Sequence, residues 1–112
     1  MSVTIYHNPK CSKSRATLAL LHEKGVEPDV IEYLTNPPSA AELKDILGKL
    51  GKAPADILRK KEAAEEGVDG GQSDGALIKD IVAHPRVMER PIVVRGAKAA
   101  IGRPPENVLD IL

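Results

Sequence analysis

Residues 3–15 read VTIYHNPKCSKSR, a β-type run that leads through a turn into a basic, serine-containing segment. Residues 3–6 have the β-branched and aromatic composition of a strand. Asn8-Pro9 interrupts the strand, and a helical pattern follows over residues 12–24, with enough apolar side chains to predict burial on most of its circumference. The run therefore predicts a strand, a tight turn and a helix, with Cys11 at the junction.

Outward from this run, the pattern alternates strands and helices. A second strand is predicted at residues 30–34, and an amphipathic helix follows a capping box that starts at Ser39. A short helix is predicted to begin at Pro54 and to carry Arg59. The acidic, glycine-rich residues 62–74 predict a mobile loop.

The C-terminal part adds a helix over residues 77–82, a hairpin over residues 92–101 and a last helix that begins at Pro104-Pro105. The order is strand–helix–strand, several helices, then strand–strand–helix. Within 112 residues this order predicts a thioredoxin-like α/β fold. We expect a single domain over residues 1–112, in which helices flank a four-stranded mixed sheet and a helical insertion separates the two halves.

The composition excludes several classes of function. Sixteen Lys and Arg balance sixteen Asp and Glu, so a protein that binds the nucleic-acid backbone is not expected. One cysteine allows neither an internal disulfide nor a multi-thiolate zinc site, and no His, Asp or Glu group has metal-ligand spacing. No apolar run approaches a membrane span and no secretory signal is visible. A monomeric cytoplasmic protein without metal or membrane contact is predicted.

Cys11 is the residue that carries most chemical information. A single cysteine is usually a small buried apolar residue, but the neighbours here are polar and basic. The start of a helix favours a thiolate, yet lowering a thiol pKa from about 8.5 to roughly 6.5 takes about 2.7 kcal/mol. A helix terminus supplies typically about 0.3–1 kcal/mol. Hydrogen bonds or cations must supply the rest, and the candidates are His7, Lys10, Lys13 and Arg15.

Ser14 stands three residues after Cys11, where a dithiol redox site would have its second cysteine. Any disulfide that Cys11 forms must therefore involve another molecule, which favours a monothiol mechanism with an external thiol such as glutathione. The Cys-x5-Arg loop of small phosphatases is excluded because position 17 is Thr.

Three arginines could surround this thiol. Arg90 and Arg103 flank the predicted hairpin, and Arg59 would come from the helical segment. Each alone is a solvated surface charge, whereas together they would form a trap for a tetrahedral oxyanion. The Arg90-Pro91 bond could be cis and turn the backbone towards the thiol, or be an ordinary trans bond at a strand edge.

Five separated motifs resemble the glutaredoxin-coupled arsenate reductase family, in its short branch, from Thr4 to the C-terminus. They are Ile5-Tyr6-His7-Asn8-Pro9 with Cys11-Ser12-Lys13-Ser14-Arg15, Tyr33-Leu34-Thr35-Asn36-Pro37-Pro38, Leu58-Arg59-Lys60, Glu89-Arg90-Pro91-Ile92-Val93-Val94 and Ile101-Gly102-Arg103-Pro104-Pro105. The glycine-rich residues 62–74 depart from the pattern.

The resemblance implies a function in arsenic detoxification. It makes Cys11 the nucleophile towards arsenate and Arg59, Arg90 and Arg103 the oxyanion-binding set, with His7 and Ser14 supporting the thiolate. It also implies glutathione as co-substrate, glutaredoxin as partner and no tightly bound cofactor.

Two other classes stay open on the same scaffold. A glutathione-dependent thiol or disulfide reductase would use the anion pocket for a glutathione carboxylate. A non-enzymatic regulatory module like the Spx-type transcription regulators is disfavoured, because that group carries Cys-x-x-Cys where this chain has Ser14.

Overall fold

A computed structural model describes residues 2–112. Its helices and strands are, in chain order, β1 (Val3–His7), α1 (Ser12–Glu23), β2 (Asp29–Glu32), α2 (Ala40–Leu50), α3 (Lys60–Glu66), α4 (Asp74–Ala83), β3 (Ile92–Arg95) and β4 (Lys98–Ile101). Short 3-10 helices occupy Pro54–Ile57, Pro85–Val87 and Pro105–Ile111. The described chain divides into two compact units, one of residues 2–36 with 90–112 and one of residues 37–89.

The first unit contains a four-stranded sheet in the order β2-β1-β3-β4. β1 is parallel to β2 and antiparallel to β3, and β3 and β4 form an antiparallel hairpin. The predicted thioredoxin-like architecture, a mixed sheet with flanking helices, is confirmed. Its buried core joins β1, α1, β3 and the last 3-10 helix through Val3, Ile5, Leu21, Val93, Val108 and Ile111.

α1 differs from its prediction in the side chains that it buries. Its buried residues are Ser14, Thr17 and Leu21, so the prediction that most of its circumference is buried was wrong. Thr17 is fully buried, and its hydroxyl donates to the Lys13 carbonyl oxygen at 2.8 Å. Small polar side chains can occupy this face because their hydrogen-bonding groups find partners there.

β2 is shorter than the predicted strand, since it ends at Glu32. The backbone N–H groups of Thr35 and Asn36 both donate to the Glu32 carbonyl oxygen, at 3.1 and 2.9 Å. These bonds close a turn directly after the strand. Tyr33 therefore lies in the turn and not in the strand.

In the second unit, α2 has the ends that its sequence predicts. The Ser39 hydroxyl accepts the Glu42 N–H at 3.1 Å, and the Glu42 carboxylate accepts the Ser39 N–H at 3.0 Å. Gly51 follows the helix in the left-handed conformation, with φ of 66°. The capping box and the glycine stop are both confirmed.

The prediction of a loop over residues 62–74 was wrong for its first part, which belongs to α3. The glycines that follow favoured the loop prediction, but Lys60–Glu66 consists of Lys, Glu and Ala, which are all good helix formers. The short helix at Pro54 ends at Ile57, so Arg59 lies beyond it and directly precedes α3.

The last predicted helix is a 3-10 helix over Pro105–Ile111. Residues three apart align in a 3-10 helix, and Val108 and Ile111 accordingly enter the core together. Within residues 2–112, no helix is both long enough and apolar enough to cross a bilayer.

Gly102, directly after β4, allows a close approach that generates a prediction for stability. A Cβ at this position would lie 2.5 Å from Thr17 Oγ1 and 2.9 Å from Pro91 Cγ. We therefore expect Gly102→Ala to lower the free energy of unfolding by about 1–3 kcal/mol, as overpacking does. Urea denaturation followed by circular dichroism measures it.

Gly48→Ala is the matched control, because Gly48 lies in α2 with nothing within 4 Å of an added Cβ. Helix propensity predicts that this variant is more stable by roughly 0.5–1 kcal/mol. Equal unfolding midpoints for the two variants would contradict the close packing at Gly102.

Candidate active site

The topology of the sheet places four side chains in a row at one edge. β1 and β2 are parallel and end together, β3 begins at the same edge, and β4 ends there. The first residues beyond these strand ends include Asn8 after β1 and Tyr33 after β2. On the other side of β1 are Arg90, just before β3, and Arg103, just after β4. Adjacent strands are about 4.8 Å apart, so the row places neighbouring groups within reach of one another.

Cys11 lies above this row as the N-cap residue of α1. Its backbone is extended, with φ of −94° and ψ of 124°, and its N–H donates to the Asn8 carbonyl oxygen at 3.0 Å. An N-cap side chain faces the free N–H groups of the first helical turn. The thiol is free and half-buried, at the predicted junction between strand and helix.

Several groups determine the pKa of Cys11. Burial raises it, but the backbone N–H of Ser14, the guanidinium of Arg90 and the backbone N–H of Lys13 donate to the sulfur, and the Arg90 charge adds to their effect. The net pKa is below that of an ordinary thiol. The cation at the sulfur is thus Arg90, which was not among the candidates His7, Lys10, Lys13 and Arg15. Of those four, Lys13 donates to the sulfur through its backbone N–H.

His7 and Ser14, the predicted thiolate-supporting pair, contact each other through their side chains. His7 Nδ1 lies 2.6 Å from Ser14 Oγ, which also accepts the Asn8 N–H at 3.0 Å. The contact from Ser14 to Cys11 comes from its backbone N–H, while its hydroxyl is engaged with His7 and Asn8. Burial and the charge of Arg15 lower the pKa of His7 against the opposing effect of Glu32, so the site favours the neutral imidazole.

Arg90 and Arg103 are joined through the backbone. Arg103 Nε donates to the Arg90 carbonyl oxygen at 2.9 Å across the ends of the hairpin. Both arginines precede cis peptide bonds, at Arg90-Pro91 and at Arg103-Pro104. The first of these was left open by the sequence, and the second was not anticipated.

Arg59 belongs to the second unit, where it is the N-cap residue of α3. Its Nε pairs with the buried carboxylate of Glu62, and its backbone N–H donates to the Val87 carbonyl oxygen at 2.7 Å. Its Nη1 is buried and has no hydrogen-bond partner among residues 2–112. Arg59 therefore retains a donor that an anion could use.

Of the predicted site residues, the structure groups Cys11, His7, Ser14, Arg90, Pro91 and Arg103 in the first unit. Two further residues at this edge were not predicted as site residues. Asn8 holds the turn, since its side-chain oxygen accepts the Lys10 N–H at 3.0 Å, and Tyr33 is fully buried beside it. The Asn-Pro dipeptide signals such a turn, whereas nothing local to Tyr33 reveals that it faces the thiol.

Comparison with known proteins gives consistent matches over nearly the whole chain. The model of the ArsC family matches residues 6–111. The chain is 53% identical to the uncharacterized protein YfgD of Escherichia coli K12, over 98% of this chain and 96% of that protein. It is 48% identical to an arsenate reductase of Neisseria meningitidis, over 98% and 97%. The structure matches an arsenate reductase from Vibrio cholerae with a TM-score of 0.93 and 50% identity, over 100% and 98%.

The donors around the sulfur predict a pH dependence for its reactivity. We expect alkylation of Cys11 by iodoacetamide to titrate below the ordinary thiol pKa, because the thiolate is the reactive form and is favoured by the Arg90 guanidinium. Arg90→Met removes that cation, so the alkylation pKa should rise. Rates measured over a pH series check both statements.

Arg86→Met is the matched control, since Arg86 pairs with Glu65 and Glu66 in the second unit. Its alkylation profile should coincide with that of the wild type. A profile of Arg90→Met that also coincides with the wild type would contradict the role of Arg90 at the sulfur.

Proposed function

The chain belongs to the ArsC family, and from this premise we propose that it is an arsenate reductase in which the Cys11 thiolate attacks arsenate. The observation that carries the proposal is the convergence of Arg90 and the first amides of α1 on a single half-buried sulfur. A thiol with a lowered pKa is more nucleophilic at neutral pH than an ordinary thiol, and the groups that stabilise its thiolate also attract an anion. Relatives named arsenate reductase, at 48% and 47% identity over nearly full length, support the substrate.

The proposed reaction begins with nucleophilic displacement at arsenic. The thiolate forms a sulfur–arsenic bond, and one arsenate oxygen leaves as water after it takes up protons. Negative charge accumulates on the arsenate oxygens during this step, where Arg90 and Arg103 can neutralise it. His7 and Ser14 keep their thiolate-supporting role in the proposal, through the hydrogen bonds that fix the start of α1.

The reductant follows from the number of thiols in the chain. Reduction of arsenic(V) to arsenic(III) takes two electrons, which two thiols supply when they are oxidised to a disulfide. Cys11 is the one cysteine in the chain, so we assign the electrons to glutathione as co-substrate, with glutaredoxin regenerating the system. Overall, arsenate and two glutathione molecules give arsenite, glutathione disulfide and water.

Three arginines form the proposed oxyanion-binding set. Arg90 contacts the sulfur, and Arg103 is bonded to the Arg90 backbone. Arg59 is assigned to the set from the family resemblance, and its buried Nη1, without a partner among residues 2–112, is a donor suited to that role. Guanidinium groups suit this task because they present several donors in a fixed planar array.

The decisive experiment compares the wild type with Cys11→Ser. NADPH oxidation is followed with arsenate, glutathione, glutaredoxin and glutathione reductase present. We expect arsenate-dependent turnover in the wild type and a loss of about 10⁴-fold or more in the variant, as for removal of an enzymatic nucleophile. A disulfide substrate of glutaredoxin, added to the same mixture, verifies that the coupling enzymes are active.

The outcomes separate the candidate functions. Residual arsenate turnover by Cys11→Ser would exclude Cys11 as the nucleophile. A folded wild type with a reactive Cys11 but no arsenate turnover would favour the thiol-transfer alternative, which release of glutathione from mixed disulfides would then test. Turnover that continues when thioredoxin and its reductase replace glutaredoxin would overturn the assigned reductant.

The arginine set predicts a graded loss of activity. Arg59→Ala, Arg90→Ala and Arg103→Ala each remove charge-assisted hydrogen bonds, which are worth about 1.5–3 kcal/mol each. We expect kcat/KM for arsenate to fall about 10- to 150-fold in each variant. Steady-state kinetics measure the loss, with Arg86→Ala, an exposed ion-pair variant, as the control at wild-type kcat/KM. Wild-type kinetics in all three variants would refute the oxyanion-binding set.

A further inference from the structure

Tyr33 is a large side chain at the site to which no role has been assigned. It is fully buried, one residue beyond the end of β2. The register pairs His7 with Glu32, the last residues of β1 and β2, so Asn8 and Tyr33 follow side by side. The burial of an aromatic ring at this edge explains its packing but does not explain its hydroxyl group.

The Tyr33 hydroxyl faces two N–H donors. One is the guanidinium of Arg90, and the other is the side chain of Asn8, whose oxygen is already taken by the Lys10 N–H. Neither contact has the distance and angles of a full hydrogen bond, and no other group among residues 2–112 forms one with this hydroxyl. Burial raises the pKa of Tyr33 in spite of the Arg90 charge, so the phenol is neutral and its oxygen can accept from both donors.

This arrangement is costly for stability alone. A buried hydroxyl whose hydrogen bonds are poorly aligned is less favourable than an apolar group of the same shape. Phenylalanine would fill the same space without that penalty. The hydroxyl must therefore act on its neighbours, and the neighbour that contacts the reactive sulfur is Arg90.

We propose that Tyr33 is a positioning residue, whose hydroxyl oxygen holds the Arg90 guanidinium in the conformation that contacts the Cys11 sulfur. The Arg90 backbone is fixed by the hairpin and by the bond from Arg103, but its side chain keeps several rotatable bonds. Long side chains lose conformational freedom when they are ordered, and a second acceptor for the guanidinium reduces the number of alternative conformations. The inference deepens the proposed function, since it concerns the same thiolate.

The test is a double-mutant cycle read out by alkylation of Cys11 with iodoacetamide, which needs no arsenate. We expect Tyr33→Phe to slow alkylation below neutral pH by about two- to ten-fold, the range for loss of one net hydrogen bond. In the Arg90→Met background the same substitution should have no further effect, because Tyr33 acts through Arg90. Thermal unfolding should show that Tyr33→Phe is as stable as the wild type or more stable.

Tyr6→Phe is the control, because it removes the hydroxyl of the only other tyrosine in the chain. Its alkylation profile should match the wild type. A wild-type profile for Tyr33→Phe, or an equal effect of Tyr33→Phe with and without Arg90, would overturn the proposal. Lower stability with unchanged alkylation would show a structural role and also overturn it.

A second measurement uses the unaltered tyrosines and so does not depend on the folding of Tyr33→Phe. The chain has two tyrosines and no tryptophan, so phenolate absorbance can be titrated directly. Removal of the Arg90 charge in Arg90→Met should shift the titration of Tyr33 to still higher pH. An unshifted titration would separate Tyr33 from Arg90 and refute the inference, whatever the outcome of the arsenate assay.

Discussion

The thiolate form of Cys11 is stabilised by N–H donors that outweigh the effect of burial, and the rest of the site positions these donors. A half-buried sulfur would by itself hold its proton more tightly than a sulfur in water. The amides of Lys13 and Ser14 and the guanidinium of Arg90 reverse this preference. All three donors must converge on one atom, which requires that α1 begin at a defined place relative to the start of β3.

Asn8 fixes the position at which α1 begins. Its backbone carbonyl accepts from Cys11, its side chain accepts from Lys10, and its backbone N–H donates to Ser14. Each bond contributes about 0.5–1.5 kcal/mol net, but loss of a partner for such a buried group costs about 1–3 kcal/mol. The turn between β1 and α1 is therefore specified by polar contacts, and Ser14 is buried on α1 where an apolar side chain would otherwise be expected.

The proposed anion binding depends on local charge. The whole chain has a net charge of zero, so its overall charge does not attract an oxyanion. Arg90 lies beside the sulfur, whereas Arg86 is paired with Glu65 and Glu66 in the second unit. In the proposed reaction, a single thiol without an internal partner leaves the supply of electrons to other molecules. The protein's proposed contribution is the nucleophile and its electrostatic environment.

The order of the elements, the capping box at Ser39 and the position of Cys11 at a helix start depend on residues close together in the chain, so the sequence is enough to predict them. The prediction failed for Lys60–Glu66, because the neighbouring glycines were given more weight than the helix formers within it. The row formed by Arg90, Tyr33 and Asn8, and the contact of Arg90 with the sulfur, follow from the tertiary structure alone. Those contacts depend on the register between strands that are far apart in the chain. The residue types of these segments do not by themselves show which strands are neighbours in the sheet.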